Sequence, residues 1–312
     1  KEYDYLYDQI VCYGELLSTT IVSEYLNDIG ITNSWYDARE LVITDTVFRD
    51  ASVHWEETEK RIKTKIDTSK TTIVQGFIAG DLNGNTTTLG REGSDFTAGI
   101  FAYCLDAESL TIWKDVSGIL NADPREFKDP QLLEQISYEE PIEIAFYGAS
   151  VIHPKTIKPI QNKKIPLIVR SFKNLNSKGT KVTNKAEMIP NIPCYIVKKN
   201  QVLVSIASLD FSFIVEENIS QIFKLFHKYQ LKVNLIQNSA ISFSVCLDNN
   251  LNHFDQLFNE IKVLYNVSFV KNVDLFTVRH FTENSLSKIY NLGTSLLSQI
   301  NKNTAQVIIL KE

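Results

Sequence analysis

The sequence has few of the residues that would mark a metalloprotein, a disulfide-stabilised protein or a membrane protein. Its 312 residues include only four cysteines and five histidines, and none of them stands at metal-ligand spacing. Cysteines as far apart as Cys12, Cys104, Cys194 and Cys246 are typical of buried thiols in a reducing compartment. No apolar run approaches the roughly 20 residues that a membrane-spanning helix needs. The sequence therefore predicts no metal site, no membrane partner and a cytoplasmic location.

The chain also lacks an excess of positive charge. Its formal net charge is -5, with 22% charged and 44% hydrophobic residues. A mildly acidic balance argues against nucleic acid as the main partner. The composition is that of an ordinary globular chain with a substantial core and two or three domains.

The most informative stretch is residues 86–95, which read TTTLGREGSD. The apolar run 71–80 before it predicts a buried strand, and residues 95–105 after it carry apolar side chains at helical spacing. The stretch is therefore predicted to join a strand to a helix, where unsatisfied backbone N–H groups attract anions. Ser94 or Asp95 is predicted to cap that helix.

Three further residue types in this stretch suit an anion-binding loop. Gly90 and Gly93 allow the backbone to approach a ligand closely, and Arg91 offers a planar fork for a carboxylate or phosphate. Asp95 could hold a metal or orient a reacting group. The alternative is an ordinary capped loop with a surface arginine, because turns are made of the same residues.

The order of predicted elements indicates an α/β fold over the first 190 residues. Predicted strands alternate with predicted helices, which argues for a layered sheet; the strands are 71–80, 108–113 and 165–170, and the helices are 95–105, 138–147 and 153–162. A further helix is predicted to begin at Tyr13, with Glu15 in its first turn and Gly30 as its stop. We place a domain boundary near residue 190.

Residues 191–270 show the β-α-β-β-α order of a ferredoxin-like unit. Residues 271–312 begin the same order again without completing it, with a helix predicted from about Ser285 to Gln299. The tail is thus predicted to hold one complete unit and one abbreviated copy.

Four motifs in order resemble those of the aspartate kinases of the amino-acid kinase superfamily. They are YGELLST at 13–19, TTTLGREGSD at 86–95, WKDVSGILNADPR at 113–125 and FYGASVIHPKT at 146–156. The resemblance implies an amino-acid kinase-type layered α/β sandwich over 1–190, followed by ferredoxin-like ACT regulatory modules at 191–270 and 271–312. It also implies ATP-dependent phosphorylation of the side-chain carboxylate of L-aspartate, with ATP and Mg²⁺ as cofactors and feedback by lysine or threonine on a homodimer formed through the ACT modules.

The resemblance assigns roles to individual residues. Glu15 would receive the ammonium group of aspartate and Arg91 its α-carboxylate, with Gly93 and Ser94 completing the substrate site and Asp95 as the catalytic residue. The residues implied at the nucleotide are Lys114, Asp115, Leu120, Arg125 and Ser150. The residues implied at the effector are Asn234, Gln237, Asn238 and Ser239, for which a polar hairpin turn is the alternative.

Several positions depart from the family pattern. Glu92 stands where relatives usually carry glycine, so it adds a carboxylate beside an anionic substrate. Leu120 replaces a frequent aromatic residue, and Ser150 replaces a frequent lysine. The family also opens with a strand and a Lys-Phe-Gly-Gly-Ser segment that has no counterpart here, so we expect the sequence to be incomplete at its N-terminal end.

Three alternative functions remain open. Another kinase of the superfamily, acting on glutamate or a nucleoside monophosphate, would keep the nucleotide cluster. A non-catalytic amino-acid sensor is the second alternative, because ACT modules are binding modules and the first strand of the kinase fold is missing from the sequence. The kinase half of a fusion with homoserine dehydrogenase is disfavoured because no dinucleotide fingerprint occurs before Glu312.

Overall fold

The computed structural model describes residues 2–149, 151–210, 212–249 and 251–311. The chain forms two compact units. The first contains residues 1–119, 132–146 and 150–190, and the second contains 120–131, 147–149 and 191–312. Within the described residues, no helix combines the length and apolar character needed to cross a membrane.

The first unit alternates helices and short strands around three sheets. The two-stranded sheet pairs β1 with β3 in parallel, the second sheet has the order β2-β4-β5, and the third has the order β6-β8-β9-β7. The elements are α1 Glu2–Asp28, β1 Asn33–Tyr36, α2 Ala38–Leu41, β2 Ile43–Thr44, α3 Trp55–Lys65, β3 Thr71–Val74, β4 Ile78–Asp81, β5 Thr86–Thr88, α4 Gly93–Cys104, β6 Leu110–Lys114, β7 Gln135–Ser137, α5 Glu139–Tyr147, α6 Pro154–Asn162, β8 Leu167–Ser171 and β9 Thr180–Thr183.

Buried apolar side chains join the helices of this unit to its central strands. They come from α2, α3, β4 and α4 and from the residues that follow α2, α3 and β5; they are Leu41, Val42, Ile62, Ile66, Ala79, Leu89, Ile100 and Cys104. The predicted alternation of strands and helices is confirmed, and so is the α/β class. The core holds the start of α4 beside the end of β5, which is where the sequence placed its anion-binding loop.

Two predicted strand boundaries were wrong. The run 71–80 forms two strands rather than one, because the chain turns at Phe77, whose φ of 70° lies in the left-handed region. Residues 86–88 are strand β5 rather than loop, and all three threonines are buried. Hydrophobic content alone did not show the turn, since Phe77 is itself apolar.

Helix α1 is longer than predicted, because it runs through Gly14 and begins at Glu2. Glu15 therefore lies in the middle of the helix, and its predicted place in the first turn was wrong. The predicted stop at Gly30 is confirmed: Gly30 has a φ of 83°, and the backbone N–H of Ile31 donates to the carbonyl of Leu26.

The second unit is built on one antiparallel sheet with the strand order β11-β12-β10-β13-β15-β14. Its elements are β10 Cys194–Ala207, α7 Glu216–Lys228, β11 Val233–Asn238, β12 Ser242–Asp248, α8 Leu251–Ile261, β13 Asn266–Arg279, α9 Glu283–Tyr290, β14 Thr294–Ile300 and β15 Thr304–Leu310. The succession from β10 to α8 is the predicted β-α-β-β-α order, and β13 follows it.

The helix predicted from 285 to 299 was wrong in its second half. Helix α9 ends at Tyr290, and residues 294–300 form β14, which pairs with β15 along its length. Gly293 allows the chain to approach β15 closely, because a Cβ there would overlap the carbonyl oxygen of Leu310. Pairing with a strand later in the chain overrides the local helical pattern.

The four cysteines are buried and free, as the sequence predicted. Burial raises the pKa of Cys104 to about 12 and that of Cys246 to about 12. Near pH 8 about one thiol in 10⁴ with such a pKa is ionised, against about one in four for an unperturbed thiol. We therefore expect a disulfide reagent to leave both thiols unmodified in the native protein and to titrate all four cysteines after denaturation. Native reaction of Cys104 or Cys246 at the denatured rate would contradict this placement.

Candidate functional site

The turn from β5 to α4 has a backbone that favours glycine at two positions. Gly90 has a φ of 75°, and a Cβ on Gly93 would lie 2.7 Å from the ring atom Cδ2 of Phe77. Glu92 is the N-cap of α4 in the left-handed conformation, with a φ of 52° and no side-chain cap. The predicted cap at Ser94 or Asp95 was therefore wrong, and both residues lie in the first helical turn instead.

Arg91 sits between the two left-handed positions of this turn. Its side chain is exposed and has no hydrogen bond or ion pair with another residue in the described part of the chain. The guanidinium fork is thus available to a carboxylate. Glu92 occupies a conformation that costs a side-chain-bearing residue about 1–2 kcal/mol, a cost that the glycine expected here from the family resemblance would avoid.

Asp95 and Lys114 form an ion pair at the start of α4. The Nζ atom of Lys114 lies 2.8 Å from Oδ2 of Asp95, and the two side chains are 24% and 15% exposed. Lys114 is the last residue of β6, so the pair joins the carboxyl end of that strand to the first turn of α4. The structure thereby brings together the predicted catalytic residue and a predicted nucleotide residue. Asp115 follows in an exposed bend.

Phe77 connects α1 to this turn and was missed by the sequence analysis. Its backbone carbonyl accepts from the N–H of Leu89 at 2.9 Å, and its N–H donates to Oγ1 of Thr97 at 3.0 Å. Its side chain packs against the buried cluster that contains Cys12 of α1, and Leu16, the neighbour of the half-buried Glu15, packs against the same cluster. Helix α1, which carries Glu15, and the start of α4 are therefore both positioned near Phe77.

Two polar side chains of α1 hold the open edge of β5. The buried carboxylate of Asp8 accepts from the backbone N–H groups of Arg49 at 2.9 Å and Thr88 at 3.0 Å, and from the Thr88 hydroxyl at 2.9 Å. The Gln9 amide donates to the carbonyl of Thr86 at 2.7 Å and accepts from its N–H at 3.1 Å. No local pattern marks these residues, because their partners lie between 41 and 80 positions away.

A cavity of about 550 Å³ opens beside the first turns of α4. Ser94 lines it from the helix, and Gln75 and Gly76 line it from the segment after β3. Gly76 allows close contact, since a Cβ there would lie 2.7 Å from Cβ of Ser94. The Gln75 side chain is fixed, because its oxygen accepts from the N–H of Ala38 at 2.7 Å. The volume suits a small-molecule ligand.

Two predicted nucleotide residues, Leu120 and Arg125, belong to the second unit. Leu120 is half-buried. Arg125 is exposed and forks onto Asp123, with Nε 3.0 Å from Oδ1 and Nη2 2.7 Å from Oδ2. Hydrogen bonds from this guanidinium hold the pKa of Asp123 below its ordinary value. Ser150 lies outside the described residues.

The predicted effector residues have different environments within the second unit. Oδ1 of Asn234 accepts from Nζ of Lys198 at 2.7 Å, and its Nδ2 donates to Gln201 at 2.7 Å and to Asp248 at 2.6 Å. Burial lowers the pKa of Lys198. The other three, Gln237, Asn238 and Ser239, are exposed at the end of β11.

A comparison with protein families identifies the class of protein. The profile of the Amino acid kinase family matches residues 2–171, which is more than half of the chain. The chain therefore belongs to the amino acid kinase family, as its motifs predicted.

Within that family, the chain is similar to aspartokinases. Lysine-sensitive aspartokinase 3 of Escherichia coli strain K12 is 33% identical over 247 residues, which cover 78% of this chain and 55% of the relative. The chain thus spans about half the length of that curated relative.

Solved structures of E. coli aspartokinase III have the same fold. The complex with lysine and aspartate, in the T-state, superposes with a TM-score of 0.80 at 26% identity, covering 98% of this chain and 72% of the other. The complex with aspartate and ADP, in the R-state, gives 0.76 at 26% identity over the same shares. The predicted fold class is confirmed.

Proposed function

We propose that the protein is an aspartate kinase that transfers the terminal phosphoryl group of ATP to the side-chain carboxylate of L-aspartate. The product is 4-phospho-L-aspartate, the first intermediate toward lysine, threonine and methionine. The observation that carries the proposal is the Asp95–Lys114 ion pair in the α4 turn that also presents Arg91. The solved E. coli relatives that bind aspartate and ADP support it.

The substrate end of the site would use complementary charges. Aspartate has two carboxylates and one ammonium group, so its recognition needs a cationic fork and an anionic partner. Arg91 supplies the fork for the α-carboxylate, and Glu15 supplies the carboxylate for the ammonium. Gly93 and Ser94 place the N-terminus of α4, which favours negative charge, beside the substrate.

The phosphoryl end would rely on positioning and electrostatics. The ionised side-chain carboxylate of aspartate attacks the γ-phosphorus, the bond to the β,γ-bridging oxygen breaks, and ADP leaves. The nucleophile carries no proton, so this step needs no general base. Lys114 offsets charge on the phosphoryl group, Asp95 holds the Lys114 ammonium in place, and catalysis follows from alignment. Within the first unit Asp115 belongs to the nucleotide site in this proposal, and the nucleotide roles of Leu120, Arg125 and Ser150 stay predictions from the sequence.

The residues at this site fit a magnesium ion that arrives on the nucleotide. Among the described residues, no group of three or more His, Cys, Asp or Glu side chains could hold a metal ion by itself. Mg²⁺ commonly binds through one or two carboxylates together with phosphate oxygens and waters. Asp95 and the exposed Asp115 would supply those carboxylates, and the bound ion would neutralise phosphate charge.

The tail would regulate the kinase. In this proposal residues 1–190 are the catalytic domain, residues 191–270 are an ACT unit and residues 271–312 are an abbreviated second unit. Two chains form a cytoplasmic homodimer through their ACT units. Lysine or threonine would bind where β11 ends, at Gln237, Asn238 and Ser239, with Asn234 anchoring the strand behind them. To regulate the kinase, the effector must bind either the active or the inactive dimer more tightly than the other. The lysine-sensitive E. coli relative supports lysine as the first effector to test.

A coupled ADP-release assay on the full-length protein tests the proposal. We expect ADP release that requires L-aspartate. When L-glutamate replaces L-aspartate, the rate of ADP release should fall strongly, because the extra methylene displaces the reacting carboxylate. Release with glutamate or a nucleoside monophosphate in place of aspartate would assign a different kinase of the family. Equilibrium binding of an amino acid without any ADP release would assign a non-catalytic sensor.

A further inference from the structure

Helix α4 borders two cavities with different faces. The cavity described above takes Ser94, Thr97 and Phe101 from this helix. A second cavity, of about 580 Å³, takes Phe96 and Tyr103, which are seven positions apart and therefore share one side of the helix. It lies wholly within the first unit, and residues from α6, from α3 and from the segment before α3 complete its lining. We call it the α4–α6 cavity, and it has no part in the proposed phosphoryl transfer.

One wall of the α4–α6 cavity is made of three aromatic rings. The ring of Trp55 lies edge-on to that of Tyr103, with 5.2 Å between the centroids, and edge-on to that of Phe96, with 6.4 Å between the centroids. Such edge-to-face contacts hold the rings in a preferred relative orientation. Trp55 is still 36% exposed, so part of its ring surface is open to a ligand. The wall therefore suits a flat apolar group.

Helix α6 supplies positive charge to the same cavity. Lys155 pairs with Asp50, and both side chains line the cavity. Lys158 lies nearly one turn later, is exposed and forms no ion pair with another residue in the described part of the chain. The lining thus combines two ammonium groups with one carboxylate and holds no further charged side chain, so it has an excess of one positive charge. In a protein of net charge -5, this local excess favours a ligand with one negative charge.

We propose that the α4–α6 cavity binds a flat aromatic molecule that carries one carboxylate. The aromatic part lies against the rings of Trp55, Phe96 and Tyr103, and the carboxylate accepts hydrogen bonds from the ammonium groups of Lys155 and Lys158. A volume of about 580 Å³ is within the range of small-molecule sites. Binding here does not depend on phosphoryl transfer, so this proposal stands or falls separately from the proposed kinase activity.

2-Naphthoate is the probe for this cavity, because it combines a flat aromatic ring system with one carboxylate. Calorimetry on the full-length protein should show binding to one site per chain. 2-Naphthamide has the same rings without the charge, and it should bind at least about fivefold more weakly. Acetate has the charge without the rings, and it should show no measurable binding at the same concentration.

Two variants test the aromatic wall and the positive charge separately. Trp55→Ala removes one ring and should weaken the binding of 2-naphthoate by about tenfold. Lys158→Gln removes one ammonium group and should weaken it by about threefold or more. The matched controls are Phe172→Ala and Lys178→Gln, which change an exposed ring and an exposed lysine of the same unit that do not line the cavity. Both controls should leave the affinity within about twofold of the parent protein.

Circular dichroism checks that each variant keeps its fold, and Lys158→Gln decides the outcome if Trp55→Ala does not fold, because Lys158 is exposed. Equal binding of 2-naphthoate and 2-naphthamide would overturn the proposal. Equal effects of the cavity variants and their controls would also overturn it, since the probe would then bind elsewhere on the surface. So would competitive displacement of the probe by ATP or L-aspartate, because the probe would then lie in the site at the α4 turn.

Discussion

Replacing Arg91 by lysine should lower kcat/KM for L-aspartate by about 10- to 100-fold, which is the effect of losing roughly 1.5–3 kcal/mol of charge-assisted hydrogen bonding. The cause is geometric, because an ammonium group is a point charge and cannot make the paired contacts of a guanidinium fork. Arg91 has no competing partner in the described part of the chain, so its fork is not shared with another side chain. Most of the loss should fall on the KM for aspartate, with the KM for ATP nearly unchanged. Steady-state kinetics with each substrate varied in turn provide the measurement.

Arg61→Lys is the matched control for this change. Arg61 lies on α3 and pairs with Glu57 through its Nε atom at 2.6 Å, and it is not part of the α4 turn. The same substitution there should leave both KM values within about twofold. Equal kinetic effects of the two variants, or no effect of Arg91→Lys, would remove Arg91 from the substrate site.

Asp8→Ala should be the most destabilising single change among those considered, at about 3–5 kcal/mol in the free energy of unfolding. The carboxylate accepts three hydrogen bonds, and its removal leaves the buried N–H and hydroxyl of Thr88, together with the N–H of Arg49, without that partner. Asp8→Asn keeps the volume and one acceptor oxygen, so it should lose about half as much. Because Thr88 leads directly to Gly90 and Arg91, Asp8→Asn should also raise the KM for aspartate more than the KM for ATP. Denaturant unfolding and steady-state kinetics report the two effects.

Asp28→Ala serves as the comparison on the same helix. Asp28 is exposed at the C-terminal end of α1, where a negative charge is slightly unfavourable. Its removal should leave the unfolding free energy within about 0.5 kcal/mol of the parent protein. If Asp8→Ala is no more destabilising than Asp28→Ala, the hydrogen bonds of Asp8 do not stabilise β5.

Most of the site was predictable because its residues are close together in the sequence. Residues 86–95 contain the turn, the arginine and the first turn of α4, and Lys114 directly follows an apolar strand. The pairing of Asp95 with Lys114 follows from the strand-to-helix geometry that the alternation of elements predicts. Short-range patterns were therefore sufficient to locate the α4 turn, although they gave neither its N-cap nor strand β5.

The interactions that support the turn were not predictable in the same way. Asp8 acts on residues 41 and 80 positions away, and Phe77 looks like one more apolar residue of a strand. The second half of the helix predicted from 285 to 299 failed for a related reason, because pairing with β15 decides the conformation of β14. Long-range pairing leaves no local signature in the sequence.

Hydroxylamine trapping tests the central claim most directly, since an acyl phosphate reacts with hydroxylamine to give a hydroxamate. The full-length protein incubated with Mg²⁺, ATP, L-aspartate and hydroxylamine should form aspartyl hydroxamate, and omission of ATP or aspartate should abolish it. Arg91→Lys should reduce the yield at low aspartate and recover part of it at high aspartate. ATP consumption without any hydroxamate would show that the acceptor is not a carboxylate, and would contradict the account.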